Sequence, residues 1–162
     1  MRAVCLLVLL ALAACAPAGP PYATVAGNLP PIPAGTARIF FYRWLEPYET
    51  LAPTQAYLNG REVGVTEPGA VFYRDVPPGE YTVAVRSDEP YPNQFKTVVL
   101  KPRDIAYARI ESLKSWSSCG GGGGGDDGGG GSVTGCRDTF VVVMVSPRVA
   151  QYEMSNLTFI RG

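Results

Sequence analysis

The sequence predicts an all-β chain, a single domain built as a sandwich or barrel, and three observations predict it. Its 162 residues include 19 Gly and 15 Pro, a composition that favours turns over long helices. Short apolar segments recur at close spacing, each bounded by turn residues. Asn59-Gly60 stands between two of these segments and readily supplies the two positive φ angles of a type I′ hairpin turn.

Taken in order, residues 37–44 open the series, with Ile39 and Phe41 on one face of an extended strand and Phe40 and Tyr42 on the other. Segments 55–58 and 61–65 form the hairpin about Asn59-Gly60. A strand over 70–75 follows, and Pro77-Pro78-Gly79 turns the chain into 81–86. There Tyr81, Val83 and Val85 share one face, while Thr82 and Arg86 face water. Segments 95–101 and 105–111 flank Pro102-Arg103-Asp104, which reads as a turn between paired strands. In 139–146 the run from Phe140 to Val145 is apolar on both faces, the pattern of a strand in the middle of a sheet covered on both sides. Pro147 suits the start of about two helical turns over 147–154, and 157–160 closes the chain as a short strand. About seven or eight strands are expected in all.

The N-terminus reads as an address. Met1 and Arg2 precede an apolar stretch over 3–14 that ends in small residues before Cys15. Twelve residues rise only about 18 Å as a helix, short of the roughly 30 Å hydrocarbon core, so this is a signal peptide and not a permanent span. Leu12-Ala13-Ala14-Cys15 resembles the bacterial lipobox, in which the cysteine is acylated and the peptide is cut before it. The resemblance makes Cys15 the lipid attachment site and first mature residue, with residues 1–14 removed. Several acyl chains anchor durably where one does not. Ala16, in place of a retaining aspartate, implies sorting to the outer membrane with the domain facing the periplasm. Within 15–36, the 21 residues after Cys15 carry six prolines and read as a tether, reaching about 65 Å in a polyproline-like conformation at roughly 3.1 Å per residue. The β-domain then occupies 37–162.

Charge and composition exclude several function classes. The 14 basic and 14 acidic side chains cancel, which leaves no electrostatic drive toward nucleic acid. Histidine is absent, removing the usual general base and the commonest neutral metal ligand. The carboxylates, among them Glu46, Glu49, Glu67, Asp75, Asp88, Glu89 and Asp104, are scattered through turns and give no acid and base pair. No catalytic residue, cofactor or metal site is expected.

Between Trp116 and Thr139 the composition shifts to a glycine tract interrupted by Asp126-Asp127 and bracketed by Cys119 and Cys136. Cys5 leaves with the signal and Cys15 takes the lipid, so Cys119 and Cys136 are expected to pair in an oxidising compartment, cinching the loop 119–136. A phosphate loop would need a GK[ST] sequence, which is missing. A calcium repeat would need a stacked array, and a redox pair would need close spacing and an activating partner. The tract reads as a solvent-exposed insertion.

Trp44, Tyr48, Tyr91 and Trp116 fall at strand ends or in loops and not at core-facing positions. Such rings either cap a sandwich or contact a partner, protein or glycan.

The strings ARIFFYR, YLNGREVGV, VPPGEYTVAV, AYARIES and VVVMVSP together resemble the bacterial lipoprotein domain of unknown function 2846 family. Its features are matched here by Tyr42-Arg43 at the end of the first strand, the Asn59-Gly60 hairpin, the Pro78-Gly79 turn and Tyr107 in a later strand. The resemblance spans roughly residues 37–160; the Pro102-Arg103-Asp104 turn and the glycine loop depart from it. It implies an immunoglobulin-like antiparallel β-sandwich, akin to PEGA and carboxypeptidase-regulatory modules. It also implies a non-enzymatic structural or protein-interaction role in the cell envelope, with an envelope protein as partner.

Overall fold

The computed structural model describes residues 17–46, 50–87, 94–113 and 139–161. Among the described residues nine strands form two facing sheets, ordered β8-β7-β1-β4-β9 and β3-β2-β5-β6, so the all-β sandwich is the architecture. The strands are β1 (Ala37–Arg43), β2 (Thr54–Leu58), β3 (Arg61–Thr66), β4 (Ala70–Val76), β5 (Gly79–Val85), β6 (Phe95–Leu100), β7 (Ile105–Ser112), β8 (Phe140–Met144) and β9 (Thr158–Phe159). A short helix α1 (Tyr22–Val25) precedes them, and α2 (Pro147–Met154) lies between β8 and β9 with Pro147 in its first turn, where a missing N–H costs nothing.

The alternation in β1 sorts its residues as the sequence predicts. Ile39 and Phe41 point between the sheets, joining Leu58, Phe72, Val83, Val85, Ile110 and Val142 in the main core. Phe40 and Tyr42 point outward into a second apolar layer. The hairpin turn also forms as expected, with φ of 50° at Asn59 and 77° at Gly60. In β3, Gly64 lets the Phe72 ring approach so closely that a Cβ there would sit 2.8 Å from it. Phe72 in turn stacks on Phe41, its register partner across β1 and β4, at 5.1 Å between centroids.

Four expectations change. The pairing is not antiparallel throughout: β1 runs parallel to β7, and β4 parallel to β9. Pro102-Arg103-Asp104 does turn the chain, with Arg103 at a φ of 71°, but it carries the chain from β6 in one sheet to β7 in the other. The strand from Phe140 is an edge strand and not a central one. Its apolar run reports that both faces are covered, which layers decide; edge or centre is decided by backbone pairing.

The fourth change concerns the proposed tether. Residues 17–30 lie docked along the outer face of the five-stranded sheet. Tyr22 is buried edge-on to Phe40 at 6.0 Å, and Val25 and Leu29 pack on the same layer. Backbone bonds tie the strap to the last strand: Phe159 N–H donates to the Pro20 carbonyl, and Tyr22 N–H to that of Leu157. At its far end the Arg38 guanidinium donates to the Pro30 carbonyl at 2.9 Å while pairing with Asp75 and lying 3.9 Å from the Tyr73 ring centre. Strap and α2 together bury this sheet on its second face, which explains why every residue of β1 is buried.

Candidate functional site

The two ends of the sandwich differ. One end consists of tight turns: Asn59-Gly60, Pro77-Pro78, Pro102-Arg103 and the turn before Thr36. The register of the strands places at the opposite end the described residues that flank 47–49, 88–93 and 114–138. Pro17 is at this loop end too, beside Trp44 and Gly69.

A groove of about 450 Å³ opens here. Trp44 and Leu45 reach it because β1 ends at Arg43 and the chain turns away. Tyr152 and Glu153 come from the last turn of α2, and Asn156 and Leu157 from the segment that follows. Gly69, at a φ of 77°, makes the tight turn whose N–H donates to the Arg43 carbonyl, closing the groove floor. A second pocket of about 300 Å³, on the other side of Trp44, is bounded by Glu46, Arg109 and Glu111.

Beneath Trp44 lies a buried polar network. Glu153 accepts a hydrogen bond from the Tyr42 hydroxyl at 2.5 Å and from Arg109 at 2.6 Å, and Arg109 also pairs with Glu111 at 2.5 Å. Burial, then the hydrogen bond to Glu153, holds the Tyr42 hydroxyl far above the usual tyrosine range. Burial opposes the charge of Arg109, but its two carboxylates outweigh that and raise its pKa. Arg109 also approaches the Trp44 ring, 6.0 Å from its centre. The Trp44 indole N–H is buried with no hydrogen-bond partner among the described residues.

The adjacent Arg43 points to the inner face, over the Phe140 ring, and its guanidinium donates to the carbonyls of Ala52 (2.7 Å) and Thr50. Tyr42-Arg43 therefore clamps two structures at once: Tyr42 holds α2 through Glu153, and Arg43 holds the segment at 50–52. Both carboxylate oxygens of Glu153 are engaged, and the network positions the groove wall. The groove itself offers aromatic and aliphatic surface with an amide at its edge, suited to burying a partner's apolar side chain or to stacking on a sugar ring.

Of the residues singled out from sequence, Trp44 lies in this site. Cys15, Tyr48, Tyr91, Trp116, Cys119 and Cys136 lie outside the described residues. Glu153, Arg109 and Tyr152 were not anticipated. Glu153 did leave a signal, since it shares a helical face with Ala150 and Met154, an apolar stripe interrupted by one carboxylate. Among the described residues no helix is long and apolar enough to cross a membrane. No family model, curated protein or solved structure matches this chain.

Proposed function

We propose that this chain is a lipid-anchored bacterial cell-envelope lipoprotein of the domain of unknown function 2846 type. Cys15 holds it to the outer membrane, the domain faces the periplasm, and the sandwich serves as a non-enzymatic structural or protein-interaction module. One observation carries the interaction role. The groove around Trp44 presents apolar and aromatic side chains to solvent while a buried network fixes its wall, which is how a contact surface is pre-organised. The lipobox-like tetrad supports the anchor. Cys119 and Cys136 form a disulfide that adds stability without being required. The strands on either side already close the neck through the bond from Leu113 N–H to the Thr139 carbonyl, 2.9 Å long.

Glycan or peptidoglycan-fragment binding is the second reading, favoured by the presence of Trp44, Tyr152 and Asn156 in one groove. Cell fractionation and affinity recovery test both levels. Cys15→Ser is expected to release the protein from membranes, and persistence in the washed membrane pellet would refute the anchor. Trp44→Ala is expected to weaken recovery of the partner roughly tenfold or more, as loss of a buried aromatic contact does. Retention by purified sacculi, lost in the same variant, would select the glycan reading.

A further inference from the structure

The described residues include eight large exposed apolar side chains, and they are unevenly placed. Leu45, Leu51, Phe95, Leu113 and Tyr152 are all at the loop end, between 42% and 79% exposed. The turn end exposes Val99 and Ile105 among the charged Arg61, Glu62, Glu80, Lys101 and Arg103. An apolar rim of this kind on one end of a small domain marks a surface that meets something apolar.

The position of the strap says what that is. Pro17 lines the groove beside Trp44 and Leu45, and only Ala16 lies between it and Cys15, two residue steps away. Two residues span at most about 7 Å. Because residues 17–30 are docked on the sheet, they provide no slack to hold the domain away from its anchor. Acyl chains on Cys15 therefore enter the bilayer within a few ångströms of the rim.

We propose that the loop end is a lipid-contact surface, with Leu45, Leu51 and Leu113 resting in the headgroup boundary of the membrane that holds the anchor. This rests on Cys15 being acylated, and it brings the Trp44 groove to the membrane surface while the Asn59-Gly60 hairpin points away. Attraction here is apolar. Among the described residues Arg43 and Arg109 are engaged in their own contacts and Glu46 is exposed at the same end, so the proposed contact does not call on anionic lipid.

The test uses the lipidated full chain bound to vesicles of zwitterionic phosphatidylcholine, with bromine on the upper part of the acyl chains as quencher. Tryptophan reporters are introduced as Leu51→Trp at the rim or Arg61→Trp at the hairpin, each in a Trp44→Phe, Trp116→Phe background. Both positions are exposed, so neither change disturbs the core. The Leu51→Trp reporter is expected to shift to the blue and lose about half its emission, because an interfacial apolar face lies roughly 5–10 Å into the boundary. The Arg61→Trp reporter is expected to lose none, and high salt is expected to change neither result. Equal quenching at both ends, or none at either, would overturn the proposal while leaving the anchor intact. Protection of the Leu51→Trp reporter from aqueous iodide without quenching by lipid would also overturn it, pointing to a protein occupant. Failure of the unsubstituted protein to float with vesicles would refute the anchor and, with it, this inference.

Discussion

The two sheets of this sandwich are made from similar numbers of strands but live in different surroundings. The five-stranded sheet is buried on both faces, against the partner sheet on one side and against the strap and α2 on the other. Among the described residues the four-stranded sheet is covered on its inner face, and its edge strand β6 alternates regularly, leaving Phe95 and Val99 more than half exposed. Layer coverage, then, and not strand composition alone, sets what each aromatic contributes. Phe41 in β1 and Phe95 in β6 both occupy strand positions, yet only the first is removed from water.

The largest effect expected from that difference separates Phe41 from Phe95. Phe41→Ala should cost about 3–5 kcal/mol, since a fully buried ring leaves both lost transfer energy and a cavity against Phe72. Phe95→Ala should change stability by no more than about 0.5 kcal/mol, as surface changes do. Urea denaturation of the two variants checks this, and similar midpoints would abolish the distinction between the sheets.

The second face of the five-stranded sheet can be uncovered in part. Tyr22→Ala should cost about 2 kcal/mol, less than a fully buried core ring because the strap can peel away as the contact is lost. Hydrogen exchange should then quicken at the Tyr22 and Phe159 amides, which bridge strap and last strand, while the β5 and β6 amides keep their protection. Uniform quickening across both sheets would mean that the strap is integral to the fold and not an added layer.

The smallest effect is a pH dependence confined to this covered face. An unfolded tyrosine ionises near about pH 10, whereas Tyr42 keeps its proton well beyond that because it is buried and bonded to Glu153. The folded state therefore holds a proton that the unfolded state has released. The associated stability is complete below about pH 10 and declines as the pH rises further. Burial raises Tyr22 in the same direction. Tyr42→Phe is expected to flatten the alkaline limb of the stability profile, measured by urea midpoints on either side of about pH 10. An unchanged limb would assign the alkaline loss to other groups.

How far the sequence foretold this arrangement depends on which forces act locally. The faces of β1, the Asn59-Gly60 turn and the span of α2 follow from periodicity and turn chemistry, which a few adjacent residues determine. The edge position of β8 and the parallel match of β1 with β7 follow from which strands become neighbours, and alternation is blind to that. The strap was obscured by its prolines, although Tyr22, Val25 and Leu29 stand at helix-like spacing and mark the face that docks. Trp44 was legible as a strand-end aromatic. The carboxylate it sits above comes from a helix more than a hundred residues later, and only the packing of α2 on the sheet unites them.

The closed neck at Leu113 and Thr139 also has a meaning for how this chain can vary. The hairpin is sealed on its domain side before residue 114 and resumes at 139, so whatever lies between is appended to a completed pair of strands. Closing a flexible loop becomes costlier only with the logarithm of its length, and doubling the insertion would cost about 0.6 kcal/mol. Length at this point is close to neutral for folding. Replication slippage in a glycine-coding tract could lengthen or shorten it with little penalty, and the same tolerance makes it the natural place to splice in an epitope or a fluorescent reporter.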